Sequence, residues 1–389
     1  MRKSRLRIIV QGYIVRGPLG GMAWHNLQYL RALSQLGHEV YFLEDSDGYA
    51  SCYNPETNMT SEDPGYGLAF AAEVFPRIAM GECWAYHDAH TGSWHGPRAG
   101  DMRMLCKEAD LLLDLCGVNP MRDWVRRIPR RALVDEDPCF TQIKHMQNAG
   151  AMERAKAHNL FFSFGENFGK PGCTIPDDGF PWQPTRQPLA AGSVNPSPGV
   201  PDGRFTTVMV WESYPALEHE SVRYGLKRES FRPYMDLPKR LDCEMELAVG
   251  AEGAVQEALR AGGWRVTDPR VPTRDPWTYE RYIAGSKGEF SVAKHGYVVS
   301  NSGWFSERSI AYLASGRPVV VEDTGFTSWM DAGSGVLSFR TPEEACAVME
   351  EVIGNYEHHC RAASEMAAAY FDSEAVLGSL LDRCFQSTL

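Results

Sequence analysis

The first 45 residues constrain the fold most. "LRIIV" (6–10) is an apolar, β-branched run of the kind that forms a buried parallel strand. A glycine-rich loop, "QGYIVRGPLGG", follows. "MAWHNLQYLRALSQLGH" then carries apolar residues at helical spacing and meets Gly37 as a C-cap. "EVYFLED" (39–45) is the next strand. Two parallel strands joined by a helix predict an α/β, doubly wound domain. The glycines read G-x-x-G-G and not G-x-G-x-x-G, so they give no dinucleotide fingerprint.

Further strands are expected at 109–117, 131–138 and 159–167, with a helix at "PMRDWVRRI". The stretch 46–100 has weak periodicity and reads as a long irregular excursion around one helix, "GLAFAAEVFPRIA". Between 176 and 203 seven residues are proline, which neither a helix nor a central strand accommodates. A linker is therefore expected there. It divides a first Rossmann-like domain (1–175) from a second (204–370). A C-terminal helix over 371–389 can pack back on the first domain. In the second half "RFTTVMVW", "WRVTD", "EFSVAK" and "YVVSN" read as extended and "AEGAVQEALRAGG" as a helix. Two such halves leave a cleft between them, where ligands usually sit.

The net charge of −11 disfavours nucleic acid as a partner, because sequence-independent binding needs a basic face. No run approaches the ~18 apolar residues of a membrane span. The ten cysteines are scattered without a C-x-x-C pair and read as reduced thiols of a cytoplasmic protein.

"SGWFSERSIAYLASGRPVVVEDTGF" (302–326) concentrates the chemistry. Gly303 permits a tight turn, and Ser306 can cap a helix beginning near Glu307. The N–H groups from Trp304, Phe305 and Ser306 through Ser309 would face the cleft as a phosphate site, with Lys294 beside them. After Gly316, "VVV" makes a central strand. Glu322, Asp323, Thr324 and Gly325 follow at its C-terminal end, where ligands of doubly wound sheets are held and carboxylates can accept from sugar hydroxyls. Phosphate at one end and a polyhydroxylated group at the other describe a sugar nucleotide.

"GEFSVAK", "SGWFSERS", "YLASGRPVV" and "DTGF" resemble the donor half of GT-B glycosyltransferases. With "DEDPCFTQ", "FSFGEN", "WQPTRQP" and "FTTVMVW", most of the chain resembles a bacterial group of that fold, of the family 1/4-like kind. The resemblance implies two Rossmann-like domains and transfer of a sugar from a UDP, GDP or dTDP type donor to a hydroxyl of a small or medium acceptor, such as a natural product or glycan precursor. No metal cofactor is required if a helix end and Lys294 carry the diphosphate charge. Ala311 stands where many retaining members carry glutamate, so Glu307 becomes the candidate for the ribose. The alternatives are a sugar-nucleotide epimerase or hydrolase, or a DNA-base glycosyltransferase.

On the acceptor side, His25 at the first turn of the first helix is the expected general base, with Asp114 orienting it. Gly20, Gly21, Asp135, Asp137 and Glu166 are expected along the same edge. The loop "CWAYHDAHTGSWHG" carries Cys83, His87, His90 and His95 without a familiar zinc spacing. Its Trp84, Tyr86 and Trp94 are expected to form an acceptor-facing wall. His358 and His359 read as a solvated helix face. Nucleobase, sugar, acceptor, stereochemical outcome and oligomeric state are left open.

Overall fold

The computed structural model describes residues 5–386. Strands β1 (Arg7–Gln11) and β2 (Glu39–Asp45) flank the helix Gly20–Gln35. A small hairpin, β3 (Cys52–Asn54) and β4 (Met59–Ser61), precedes the helix Gly65–Arg77. Then come β5 (Trp84–Asp88), β6 (Ser93–His95), β7 (Leu111–Leu115), β8 (Arg130–Asp135), β9 (Leu160–Ser163) and β10 (Gln183–Pro184). Eight of these form one sheet in the order β10-β9-β8-β7-β1-β2-β5-β6, parallel except for β6, which turns back along β5.

After the proline-rich segment the pattern restarts with β11 (Phe205–Val210) and a hairpin of β12 (Leu217–His219) and β13 (Val222–Tyr224). Strands β14 (Met245–Gly250), β15 (Arg265–Thr267), β16 (Gly288–Ser291), β17 (Val319–Glu322) and β18 (Val336–Phe339) complete a parallel six-stranded sheet, ordered β15-β14-β11-β16-β17-β18. Val319, Val320 and Val321 are buried because helices cover both faces of this sheet.

Two elements differ from the sequence reading. The stretch 46–100 is largely ordered, since β5 joins the main sheet at Phe42↔Trp84 and extends its hydrophobic core. "YVVSN" is the end of a short helix, His295–Val299, and not an extended piece. β-branched residues favour strands only weakly, and here Tyr297 is needed on a helical turn facing the cleft.

Helices Pro342–Gly354, Tyr356–Phe371 and Ser373–Phe385 end the described chain. The last crosses to the first sheet, where Leu377, Leu380 and Leu381 enter its core. At about 1.5–3 kcal/mol per buried leucine, that strap is a substantial tie between the halves. Its terminal turn is fixed by Arg130 Nε donating to the Cys384 carbonyl (3.1 Å). The expected boundaries at residues 1–4 and 387–389 lie outside the described residues. No helix among the described residues is long and apolar enough to cross a membrane.

Candidate active site

The C-terminal strand ends of both sheets face one cleft of about 780 Å³. One wall carries Gly21, His25, Cys116, Glu136 and Asp137; the other carries Lys227, Lys294, Tyr297, Trp304, Ser306, Glu307 and Arg308.

His25 is buried, on the first turns of its helix. Its Nδ1 meets Gln187 Oε1, and its Nε2 lies 2.6 Å from Glu136 Oε1. Burial alone would lower the pKa of this imidazole, but the Glu136 carboxylate outweighs it and the pKa is raised. Glu136 is the more open partner and faces the cleft. Its other oxygen receives the Cys116 thiol at 2.6 Å. Crowding around Cys116 and the adjacent carboxylate push that thiol well above its usual range.

The expected orienting residue is corrected. Asp114 is fully buried on β7 and accepts from His158 Nε2 (3.1 Å), so it ties a strand to a helix end and does not reach His25. Glu136, one position from the expected Asp135 and Asp137, takes that place. Nothing in the residues singles it out from its acidic neighbours; only the strand register of β8 turns it toward His25. Asp135 is buried and holds Ser163 Oγ (2.7 Å), Gln142 Nε2 (3.1 Å) and the Asp137 amide (2.9 Å), so it shapes the loop behind the wall.

Asp137 does line the cleft, but it bridges the two halves. Lys294 Nζ donates to Asp137 Oδ1 (2.8 Å) and to the Tyr214 hydroxyl (2.7 Å). Tyr214 and Tyr297 also donate to this carboxylate. The charge of Lys294 is thus already answered across the cleft. Lys227 is different and was missed in the sequence: it has no hydrogen-bond or ion-pair partner among the described residues. Desolvation, then the like charge of Arg308, lowers its pKa well below the usual lysine range. Arg308 is buried and held by Glu289 Oε1 (2.6 Å), Ser291 Oγ (2.6 Å) and the Val208 carbonyl (3.0 Å).

The helix after "SGWFS" runs Glu307–Ala314, with Ser306 as N-cap accepting from the Arg308 amide (3.2 Å). The other first-turn amides have no intrahelical partner. Glu307 lines the cleft at this start, while Ala311 is buried in the core behind it. Trp304 packs on Tyr297, with ring centroids 4.4 Å apart, and donates through Nε1 to the Glu136 carbonyl (3.1 Å). Phe305 is core, and Ser309 is buried behind the helix start.

Several expected ligand contacts prove to be joints. Gly303 and Gly325 have φ of 73° and 90°, which a side chain resists, and a Cβ on either would strike Asn167. Asn167 Nδ2 reaches the carbonyls of Asn301 (3.1 Å) and Gly325 (3.0 Å), so "GEN" stitches the halves together. Glu166 pairs with Arg186 instead of lining the cleft. Gly20 donates its amide to the Thr273 carbonyl (2.6 Å) at the same seam. Asp323 is saturated by the Gly325 amide (2.8 Å), Thr327 Oγ1 (3.0 Å) and Arg340 (2.8 Å), and Thr324 donates to the Trp304 carbonyl. Glu322 accepts from the Ala293 amide (3.0 Å) beside a space of only about 20 Å³, and burial pushes its carboxyl up to about 7.

The aromatic loop is not a wall of this cleft. None of Cys83, Trp84, Tyr86, His87, His90, Trp94 or His95 lines it, because β5 and β6 are the far edge of the sheet. His87 Nδ1 pairs with Asp45 Oδ2 (2.7 Å). His359 is likewise no surface residue: its Nδ1 takes the Gly335 amide (3.3 Å) in a buried setting.

No protein-family profile matches the chain, and no curated protein does. Solved structures do. An alpha-glucosyltransferase in complex with UDP-glucose and DNA containing an abasic site aligns over 98% of this chain and 100% of its own, at a TM-score of 0.60 and 12% identity. HepE of Anabaena in complex with UDP and glucose aligns over 97% and 99%, at 0.56 and 10%. Sucrose-phosphate synthase of Thermosynechococcus elongatus aligns over 98% and 100%, at 0.53 and 11%. The fold is GT-B. Coverage of 97–98% of this chain means that the GT-B likeness includes both halves, not one Rossmann-like unit alone.

Proposed function

We propose that the chain is a glycosyltransferase, moving a sugar from a nucleoside-diphosphate donor to an acceptor hydroxyl. The observation that carries this is the pairing of cleft walls: a capped helix start with Lys227 and Lys294 on one side, and the His25–Glu136 dyad on the other. The first wall suits a departing diphosphate, since fixed N–H groups and cations stabilise charge that develops in the transition state. The second suits proton removal. Glu136 presents the open carboxylate, His25 holds it from behind, and Gln187 fixes the far ring nitrogen. As the acceptor oxygen attacks the anomeric carbon, its proton passes to this dyad and the diphosphate leaves with the bond pair.

UDP is the favoured nucleotide, because the alpha-glucosyltransferase and HepE structures above were solved with UDP-glucose or UDP. The reading requires no metal, since helix start and lysines supply the positive charge. The affiliation with the family 1/4-like group, the domain division at 176–203 and a cytoplasmic setting belong to the same proposal. Incubating the chain with UDP-sugars and a panel of hydroxyl acceptors, with excess chelator, should release UDP only when an acceptor is present. UDP release or sugar epimerisation without any acceptor would point instead to a hydrolase or epimerase.

A second reading has a specific observation behind it. The alpha-glucosyltransferase above was solved with DNA, and the comparisons give no support for excluding nucleic acid. The charge of −11 favours the small-acceptor reading. Salt-sensitive retention of duplex DNA, with transfer to a hydroxymethylated base, would reverse that preference.

A further inference from the structure

The contacts of Gln187 determine what His25 can hold. Gln187 Nε2 donates to the carbonyls of His25 (3.3 Å) and Pro188 (3.0 Å), so its oxygen is the atom facing His25 Nδ1. An amide oxygen only accepts, so Nδ1 carries the hydrogen, and Nε2 presents its lone pair whenever the ring is neutral. That lone pair points at Glu136 Oε1 from 2.6 Å, and neither atom has a partner in hydrogen-bond geometry although both are buried. Two bare lone pairs at this distance repel, so the pair needs a proton between them or, once the side chains part slightly, a metal cation.

Cys116 brings a third donor. Its Sγ is 2.6 Å from Glu136 Oε2, and one donor atom from each of the three residues falls within 4.8 Å of the others. Cys116 holds φ at 65°, which is uncommon outside glycine, and Gly117 follows at 61°. This turn at the end of β7 sets the sulfur on the cleft wall. Backbone held in sparsely populated conformations recurs at ligand sites.

We propose that His25 Nε2, Cys116 Sγ and the Glu136 carboxylate bind one zinc-class divalent cation, with its fourth position open to the cleft. Nitrogen, thiolate and carboxylate donors with one open position match the zinc pattern. Gln187 fills the role of the outer partner that fixes a ligating imidazole through its other nitrogen. Binding releases the Cys116 proton to solvent and leaves thiolate on the metal. It also occupies the dyad, so zinc inhibits sugar transfer; this last consequence alone rests on the proposed function.

Cobalt(II) tests the site without any transfer assay. The full chain, stripped by chelator and desalted, should take up one equivalent and show a thiolate-to-cobalt charge-transfer band, with zinc displacing it. Cys116→Ser should abolish the band, and Glu136→Gln and His25→Gln should each weaken uptake by more than about tenfold. On the wild-type chain, zinc should shield Cys116 from iodoacetamide, read peptide by peptide by mass spectrometry, so a variant that fails to fold does not decide the matter. A band that survives in folded Cys116→Ser, no stoichiometric uptake, or unshielded Cys116 overturns the site. Zinc binding without any transferase activity would uphold the site and leave the proposed function to fail separately.

Discussion

On the C-terminal wall of the cleft the helix start comes from one continuous stretch, with Lys227 and Lys294 added from elsewhere in that half, whereas the opposite wall is assembled wholly from distant ones. Between Ser302 and Gly325 a turn, a cap, a helix and a strand follow in order, and Ser306 bonds within its own turn. The His25 wall draws on a helix, the ends of β7 and β8, and Gln187 in the linker. The difference separates two ways of making a site. A helix end offers its N–H groups wherever a capped helix forms. A dyad exists only when several segments pack in one register. The second wall should accordingly be the one where a single substitution removes function most completely.

That contrast is tested first by the dyad. His25→Ala should lower turnover by about 10²–10⁴-fold, the usual worth of a positioned acid–base group. Glu136→Gln should do much the same, and UDP affinity by calorimetry should stay close to wild type in both. Wild-type turnover in folded His25→Ala would break the comparison at its centre. Asp114 provides the control from the same sheet. Asp114→Ala removes one member of a buried pair and leaves His158 Nε2 without a partner, which should cost about 3–5 kcal/mol of stability. Denaturant melts should show this loss, while the folded fraction keeps its turnover; a specific fall in turnover would restore Asp114 to the mechanism.

Legibility in the sequence followed the same division. The opening strand, helix and strand, the proline-rich break and the Ser306 cap could be read because each depends on neighbours in sequence. His25 stood out as a histidine after a glycine-rich turn. Its partner did not, because "DEDP" offers three acids and only the packed sheet distinguishes them: Asp135 turns inward, Asp137 crosses to Lys294, and Glu136 meets His25. That Gly303 and Gly325 pack on Asn167 was not legible, because the role of Asn167 lies in the seam between halves. Lys227 gave no signal, since a lysine in "LKRES" resembles any surface lysine until the cleft encloses it.

On the C-terminal wall the effects should be graded and smaller. Lys227→Ala should weaken UDP binding by about 1–3 kcal/mol, the range for a lost charge-assisted contact. Lys294→Ala should cost less, because Lys294 must first leave Asp137. Calorimetry on both variants ranks them. A larger loss at Lys294 than at Lys227 would mean that the Asp137 bridge opens readily when nucleotide arrives.

The smallest effect sits where the two walls meet. Trp24, next to His25, donates through Nε1 to Glu280 Oε1 (3.1 Å) on the helix Pro276–Ala284 of the other half. Burial pushes the Glu280 carboxyl up to about 7, against the pull of that hydrogen bond. The folded chain then holds a proton that the unfolded chain releases near the ordinary glutamate value. Between these two pKa values the folded state binds more protons, so stability is highest on the acid side and falls as pH rises toward 7. Glu280→Gln keeps an oxygen for Trp24 and removes the charge. It should therefore be more stable than wild type at pH 8, by about 1–2 kcal/mol after allowance for partial exposure, with the gain shrinking toward pH 5 and gone below the ordinary glutamate value. Thermal melts at both pH values decide it. A variant that is no more stable at pH 8 would show that Glu280 is solvated as freely as a surface acid, and that the seam between the walls is open to water.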